Sequence, residues 1–195
     1  MKKFEHFKND IRFGTCGGLT VDTPAGCVMI STDGSGYISR NPDVFTGGSD
    51  VSNSVVAEPS YRLSNVVPAN ADLSALLYET LSSALGKDTL CQGANVTADS
   101  FYSSQGRIDD AHFDDDNHNI TQMLLNKYPT ARSLEMESFW LLHLAHCSKV
   151  PIKATAAAIV VANRPTGEVM DGALLDDLEK KGGQAMLEAI TRISL

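Results

Sequence analysis

The sequence predicts a three-layer α/β/α fold, in which helices cover both faces of a central β-sheet. Segments with the pattern of strands alternate along the chain with helical segments, which is typical of the α/β class. The stretch PIKATAAAIVVANR is apolar almost throughout and β-branched near its end, as expected of a central strand buried on both faces. The chain has 195 residues, of which 43% are hydrophobic, so it can bury a core without disulfides or a metal ion. We expect one domain over residues 1–195.

The first half of the chain is predicted to alternate between short strands, a long loop and one helix. Residues 11–31 contain two short strands separated by Gly, Asp and Pro. Residues 32–62 are rich in Gly, Ser, Asn and Asp, which predicts a long loop with at most one short strand, near Tyr37. Leucines then recur at helical spacing from Asn70, which can cap a helix, to Gly86, which ends it.

The second half is predicted to contain three strands and three helices. Residues 90–97 have the pattern of one buried strand, and residues 117–127 that of a short helix. A strand end at residues 132–134 leads into a helix from Glu135, and a last helix occupies residues 173–193. The apolar face expected of the helix from Glu135 consists of Met136, Phe139, Trp140, His143, Leu144 and Cys147.

The charge balance argues against partners that require a positive field. The chain has 16 Lys and Arg against 24 Asp and Glu, a net charge of −8, so we expect no nucleic-acid or membrane partner. No apolar run approaches the roughly 20 residues of a membrane span, and charged residues occupy the place of a signal peptide's apolar stretch. We therefore expect a cytoplasmic protein that acts on small molecules.

Metal-binding patterns are absent from the sequence. His143 and His146 belong to no HExxH motif, and the aspartates at 114–116 lack the glycine and glutamate of a calcium loop. The cysteines form no metal-binding spacing and are interpreted as small buried apolar residues in a reducing compartment. They are Cys16, Cys27, Cys91 and Cys147.

Polar clusters follow four of the predicted strands, where ligands of α/β proteins usually bind. The first, GTCGG, has Gly14 beside Thr15 and follows Arg12, a combination that lets the backbone and a cation approach an anion. The same glycines are compatible with a simple tight turn.

The second cluster, DSFYSSQGR, suits a planar ligand edge. Gln105 and Arg107 can point the same way and offer an amide beside a planar cation, while Phe101 supplies a flat wall. The alternative is a solvated loop in which the arginine pairs with Asp109 or Asp110.

The third cluster, SLEMES, places two carboxylates where a strand passes into a helix. Glu135 and Glu137 could accept hydrogen bonds from a sugar diol, although negative charge also suits a helix N-terminus.

Taken in order, GTCGG, DSFYSSQGR, LEMES and the strand that ends in NR resemble the purine and uridine phosphorylase superfamily, and most closely its uridine phosphorylase branch. The resemblance runs from Ile11 to the last helix. It implies a mixed central sheet and the phosphorolysis of uridine to uracil and ribose 1-phosphate. It also implies inorganic phosphate as co-substrate, no other cofactor, and a homo-oligomer of dimers assembled into a hexamer.

The resemblance also implies a role for each site residue, and it places Arg107, Gln105 and Glu137 in the catalytic centre. The phosphate-binding residues would be Arg12, Gly14 and Thr15. The ribose-binding residues would be Thr15, Glu135, Met136 and Glu137. The base-binding residues would be Phe101, Gln105, Arg107, Val161 and Arg164.

The end of the late strand favours a pyrimidine substrate. Hexameric purine phosphorylases resemble one another in placing a Ser-Asp pair there to protonate the purine. Here that place is occupied by Val161 and Ala162, which supply no acid. A uracil leaving group carries its charge on carbonyl oxygens, which Gln105 and Arg107 could stabilise.

One departure from the family pattern leaves other functions open. Family members resemble one another in an N-terminal segment with a further phosphate loop, so this chain resembles their C-terminal two-thirds and its phosphate site would be incomplete. The alternatives are a nucleoside-binding paralogue with impaired catalysis, a purine nucleoside phosphorylase, and a nucleosidase in which Glu135 is the obvious base for activating water.

Overall fold

A mixed sheet of eight strands organises the computed structural model of the chain, which describes residues 9–45 and 58–193. The strand order is β4-β3-β6-β7-β1-β8-β2-β5, so β1 and β8 lie in the interior as parallel neighbours. β1 is antiparallel to β7, β2 to β8 and β3 to β4, which makes the sheet mixed as predicted. The strands are β1 (Asn9–Gly18), β2 (Val28–Ile30), β3 (Ser35–Arg40), β4 (Tyr61–Leu63), β5 (Leu90–Gln92), β6 (Ala94–Ala98), β7 (Ala131–Glu135) and β8 (Lys153–Asn163).

Five α-helices occur in the same described ranges. The predicted cap of α2 is confirmed, because the Asn70 side chain accepts a hydrogen bond from the backbone N–H of Leu73 at 3.0 Å and Gly86 follows the last turn. None of these helices is long and apolar enough to cross a membrane. The helices are α1 (Pro42–Phe45), α2 (Ala71–Leu85), α3 (Ile120–Lys127), α4 (Ser138–Cys147) and α5 (Gly172–Arg192).

Two of the helices pack together on the half of the sheet around β8. Leu77 and Leu81 of α2 share a buried cluster with Ala185 and Ala189 of α5 and with side chains of β2 and β8. The approach of α5 to β1 is close. A Cβ added at Gly182 would lie 2.4 Å from Cζ of Phe13, so any larger residue there would displace the Phe13 ring.

The other half of the sheet has α3 and α4 on opposite faces. Ile38 and Val96 share a buried cluster with α3, whereas the alternate residues Tyr37 and Thr97 contact α4. The Tyr37 ring stacks on Phe139 with centroids 5.2 Å apart, and Thr97 Oγ1 accepts a hydrogen bond from the backbone N–H of Phe139 at 2.8 Å. Helices therefore lie on both faces of the sheet, which confirms the predicted fold class.

The prediction of one strand over residues 90–97 is wrong. Gly93 has φ +154°, a conformation that favours glycine, and it separates two strands that occupy distant places in the sheet. β5 is an edge strand beside β2, whereas β6 lies between β3 and β7. A Cβ at Gly93 would lie 2.5 Å from the Thr130 carbonyl oxygen, so no other residue fits this junction without a shift.

The prediction of at most one strand in residues 32–62 is also wrong. β3 is longer than expected, and β4 pairs with it antiparallel, with Ile38 opposite Leu63. Part of that predicted loop, residues 46–57, lies outside the described residues. The loop composition hid β4 because the strand has only three residues and lies at the sheet edge.

The expected inner face of α4 is only partly correct. Phe139 and Leu142 are buried, whereas Trp140, Leu144 and Cys147 are exposed. The helix begins at Ser138 rather than Glu135, because Glu135 is the last residue of β7.

Candidate active site

The candidate site is a cavity of about 390 Å³. It lies where four parts of the chain meet: β1, the junction of β7 with α4, the loop after β6, and the end of β8. This volume is within the range of small-molecule sites. Ten of the eleven residues predicted from the sequence line it, and Gly14 adjoins them. The ten are Arg12, Thr15, Phe101, Gln105, Arg107, Glu135, Met136, Glu137, Val161 and Arg164.

Four further residues line the cavity that were given no site role from the sequence. They are Cys16, Gly17, Leu134 and Ala162. Each lies within two positions of a predicted residue, so continuation of the same strand segments was the signal that could have found them.

Glu135 is the most highly coordinated side chain of the site. It is 4% exposed, and both of its oxygens accept hydrogen bonds from the protein. A carboxylate with this many donors has little capacity left for a ribose diol, so we assign Glu135 to positioning Arg12 and the start of α4. Its contacts are Asn95 Nδ2 at 2.6 Å, Thr97 Oγ1 at 2.5 Å, the backbone N–H groups of Glu137 and Ser138 at 2.9 Å, Ser138 Oγ at 3.1 Å and Arg12 Nη2 at 3.2 Å.

These contacts also fix the protonation of Glu135. Burial pushes the pKa of its carboxyl upward, but the Arg12 charge and the hydrogen bonds from Thr97, Glu137 and Asn95 push it further down. The net pKa lies below the ordinary value, so Glu135 is a carboxylate at neutral pH and a poor base for activating water.

Arg12 connects the two glutamates. Its Nη2 contacts the carboxylates of Glu135 and Glu137, whereas its Nη1 is buried and has no hydrogen-bond partner among the described residues. An unpaired buried N–H group is costly, and an oxygen-rich ligand such as phosphate would satisfy it. Gly14 makes this conformation of the Arg12 side chain possible, since a Cβ at position 14 would lie 2.9 Å from Arg12 Nη2.

At the end of the cavity away from Arg12 and Glu135, one amide oxygen accepts hydrogen bonds from two arginines. Oε1 of Gln105 accepts a hydrogen bond from Arg107 Nη1 at 2.8 Å and another from Arg164 Nη2 at 2.6 Å. An amide oxygen has two acceptor positions, so both are used and the NH₂ group of Gln105 remains for a ligand. This differs from the expectation that Gln105 offers a ligand both a donor and an acceptor.

Arg107 packs against the aromatic wall of the site. Its guanidinium carbon lies 3.6 Å from the centroid of the Phe101 ring, so the arginine covers part of the surface predicted to contact the base. The alternative pairing of Arg107 with Asp109 or Asp110 is not observed, because those carboxylates bond to His112 and His118.

The two arginines at this end carry charge that their shared acceptor does not neutralise. Burial lowers the pKa of Arg107, and burial together with the nearby Arg107 charge lowers the pKa of Arg164 to about 10. Both remain cations at neutral pH. Nε of Arg164 is buried without a hydrogen-bond partner in the described residues.

The end of β8 contributes no acid to the cavity. Val161 and Ala162 line it, and the carboxylates in the lining are those of Glu135 and Glu137 at the other end. The Asn163 side chain is used elsewhere, since its Nδ2 donates to the carbonyl oxygens of Thr20 and Thr23 at 2.8 and 2.9 Å. Across the described residues, no group of three or more His, Cys, Asp or Glu side chains is arranged to hold a metal ion.

Comparison with protein families identifies this arrangement. The family model described as the phosphorylase superfamily matches residues 5–193. The chain belongs to the phosphorylase superfamily.

Solved structures agree with this membership. The chain is 37% identical to a structure from a study of two diverse uridine phosphorylases in the oomycete Phytophthora capsici, with a TM-score of 0.86 over 96% of this chain and 66% of that one. A nucleoside phosphorylase from Trypanosoma brucei, described as showing uridine phosphorylase activity, is 19% identical with a TM-score of 0.67 over 95% of this chain and 64% of that one. A purine nucleoside phosphorylase from Toxoplasma gondii in complex with immucillin-H is 18% identical, with a TM-score of 0.60 over 93% of this chain and 62% of that one. The last two demonstrate a shared fold only.

This phosphorylase superfamily chain spans only part of the length of the structures that it matches. It spans 66% of the oomycete chain and 64% of the trypanosome chain. No curated protein matches its sequence.

Proposed function

We propose that the chain catalyses the phosphorolysis of uridine, in which inorganic phosphate and uridine give ribose 1-phosphate and uracil. The observation that carries this proposal is the composition of the cavity end formed by Gln105, Arg107 and Arg164, which we call the base end. These three residues offer hydrogen-bond donors there, and no acid is present. Membership of the phosphorylase superfamily and the 37% identity to the oomycete structure support the reaction class.

The donors at the base end fit a pyrimidine leaving group. When the glycosidic bond breaks, uracil takes the electron pair and its negative charge spreads to the carbonyl oxygens. Arg107, Arg164 and the Gln105 amide would stabilise that charge by hydrogen bonds and Coulomb attraction. A purine leaves most readily when a ring nitrogen is protonated, and the apolar Val161 and Ala162 cannot supply the proton.

The other end of the cavity fits ribose and phosphate. Glu137 has a side chain that is 62% exposed and can accept hydrogen bonds from ribose hydroxyls beside Met136. Arg12 would direct its unpaired Nη1 to a phosphate oxygen, with Thr15 alongside. The Arg12 charge also reduces the repulsion between phosphate and the two glutamates.

The proposed reaction needs no organic cofactor. A phosphate oxygen forms a bond to the anomeric carbon as the bond from that carbon to the base breaks, and the uracil anion then takes a proton from solvent. Because phosphate is already a nucleophile, the residues contribute position and electrostatic stabilisation. A nucleosidase would have to activate water, and Glu135 is poorly suited to this because its pKa is low and its oxygens are occupied.

Assembly into a homo-oligomer and a cytoplasmic location stay predictions.

The test measures the release of uracil from uridine by the chain with and without inorganic phosphate. We expect release that depends on phosphate and yields one ribose 1-phosphate per uracil. Phosphate-independent release would identify a nucleosidase, and uridine binding without release would identify a nucleoside-binding protein. Faster cleavage of inosine than of uridine would contradict the assignment of a pyrimidine substrate.

A further inference from the structure

The four cysteines were predicted to be small buried apolar residues, but Cys91 is partly exposed, Cys147 is exposed, and the fold brings Cys27 and Cys91 together. Cys27 immediately precedes β2 and Cys91 lies in β5, and these two strands are parallel neighbours. The two Sγ atoms are 2.9 Å apart, although 64 residues separate them in the chain, and both are free thiols. This separation exceeds a disulfide bond of about 2.05 Å by less than ~1 Å.

We propose that Cys27 and Cys91 are a redox-active dithiol, which a low-molecular-weight disulfide such as glutathione disulfide converts into an intramolecular disulfide. The site is separate from the cavity, because neither cysteine lines it. The proposal therefore does not depend on the identity of the substrate.

The two thiols differ in exposure, and this difference assigns their order of reaction. Cys27 is 4% exposed, whereas Cys91 is partly exposed on the edge strand β5. Cys91 also lies close to the main-chain oxygen of Asp22, at 3.8 Å, in the turn that precedes Cys27. A disulfide in solution therefore reaches Cys91 first.

The electrostatic surroundings favour the same order. The hydrogen bond between Cys91 and Cys27 lowers the pKa of the Cys91 thiol, against the effect of burial and of Asp22, and the Arg132 charge lowers it further. The hydrogen bond between the two thiols, together with burial, raises the pKa of Cys27. Because the thiolate is the reactive form, Cys91 is the attacking thiol and Cys27 the resolving one.

The chemistry is two successive thiol–disulfide exchanges. The Cys91 thiolate attacks one sulfur of glutathione disulfide, forms a mixed disulfide and expels one glutathione thiolate. Cys27 then loses its proton to solvent and attacks Sγ of Cys91, which forms the protein disulfide and expels the second glutathione thiolate. Two protein thiols are oxidised, and one glutathione disulfide is reduced to two glutathione molecules.

The disulfide would tether the edge strand to the turn beside the end of β8. The carbonyl oxygen of Cys27 accepts a hydrogen bond from the backbone N–H of Val160 at 2.8 Å, and the same turn accepts the two bonds from Asn163. Closing this long loop restricts the unfolded chain, so we expect the melting temperature to rise by about 5–10 °C.

The experiment incubates the full chain with glutathione disulfide, blocks remaining thiols with iodoacetamide and maps the peptides by mass spectrometry. We expect a linked peptide that contains Cys27 and Cys91, its loss on reduction with dithiothreitol, and the predicted rise in melting temperature. This measurement uses the unmutated chain, so it does not depend on the folding of a variant.

Two matched variants sharpen the result. Cys147→Ser removes a solvent-exposed thiol and should leave the linked peptide unchanged, whereas Cys91→Ser should abolish it. Cys16 is expected to remain reduced throughout, because burial raises the pKa of its thiol to about 12. Four alkylated thiols after oxidation, or glutathione adducts without a linked peptide, would overturn the proposal.

Discussion

The two ends of the cavity differ in how far the protein neutralises their buried charges. At the end proposed to bind ribose, Glu135 and Arg12 are oppositely charged neighbours, and the carboxylate is surrounded by donors from several parts of the fold. At the end proposed to bind the base, Arg107 and Arg164 have like charges and share one neutral oxygen of Gln105. Interactions lower the pKa of Glu135 and so favour its charged form, whereas burial lowers the pKa of Arg164 and opposes its charged form.

The difference separates residues that build the site from residues that act on a ligand. Removing one partner of a buried charge that the protein already satisfies destabilises the fold, and such a charge has little left to offer a substrate. A charge that is only partly satisfied is costly until a ligand with complementary charge binds. We therefore expect mutations at Glu135 to affect folding and mutations at Arg107 to affect catalysis.

Glu135→Ala should cause the largest change. It leaves the Asn95, Thr97 and Arg12 donors without their acceptor inside the protein, which should cost about 3–5 kcal/mol of unfolding free energy. Urea unfolding followed by circular dichroism measures this loss. Glu137→Ala is the matched control, because its exposed side chain should contribute less than about 1 kcal/mol. Equal losses for the two variants would contradict the proposed division.

Arg107→Ala should have the opposite effect to Glu135→Ala, with a large loss of activity and a small loss of stability. Removing a donor that acts mainly in the transition state should reduce uracil release by about 10²- to 10³-fold, with little change in stability. The rate is measured with saturating phosphate, and Arg62→Ala serves as control because Arg62 pairs with Glu58 at the surface. An Arg107→Ala enzyme with full activity and a normal fold would exclude the assigned role.

Gly14→Ala tests how the ribose end positions Arg12. The new Cβ would displace the guanidinium, so the KM for phosphate should rise about tenfold, which corresponds to about 1.4 kcal/mol. Gly183→Ala adds a methyl group where nothing lies within 4 Å, so it should leave the kinetics unchanged and stabilise α5 by up to about 1 kcal/mol. An unchanged KM for phosphate in Gly14→Ala would show that Arg12 does not contact it.

The smallest expected effect is a difference in acid sensitivity. The pKa of Glu135 is lower in the folded chain than its ordinary value of 4.5, so the unfolded chain takes up the proton first. The stabilisation by Glu135 is complete above about pH 4.5 and is lost as pH falls through the lower, folded-state pKa. Unfolding free energies measured between pH 7 and pH 3 should therefore decline less steeply for Glu135→Gln than for the unmutated chain. Parallel curves would contradict this prediction.

Local patterns were sufficient to predict most of the fold and to single out ten residues that line one cavity. The spacing of leucines located α2, and the apolar run located β8, because both signals depend on residues that are close in sequence. The cavity contains ten predicted residues because each motif follows or ends a strand that the sheet topology brings to one place.

Features that local sequence did not predict depend on contacts between distant residues. The donors Asn95 and Thr97 that occupy Glu135 come from β6, which local sequence does not connect to it, and the role of Glu135 in binding ribose stays a prediction. The proximity of Cys27 and Cys91 likewise depends on the pairing of β2 with β5. That pairing was hidden because Gly93 divides what looked like one strand.

The position of Gln105 and Arg107 in a loop, rather than in the sheet, has a consequence for the adaptability of this scaffold. The loop follows β6 and reaches the cavity from outside the buried sheet, whereas Glu135 ends a strand and is bonded to its neighbours. If this loop binds the base as proposed, changes in the loop would alter which base is accepted without disturbing the residues that hold the fold together. The loop after β6 would then be the part of the scaffold through which ligand preference can change, whereas substitutions at Glu135 would be removed by their effect on stability before any effect on specificity could matter.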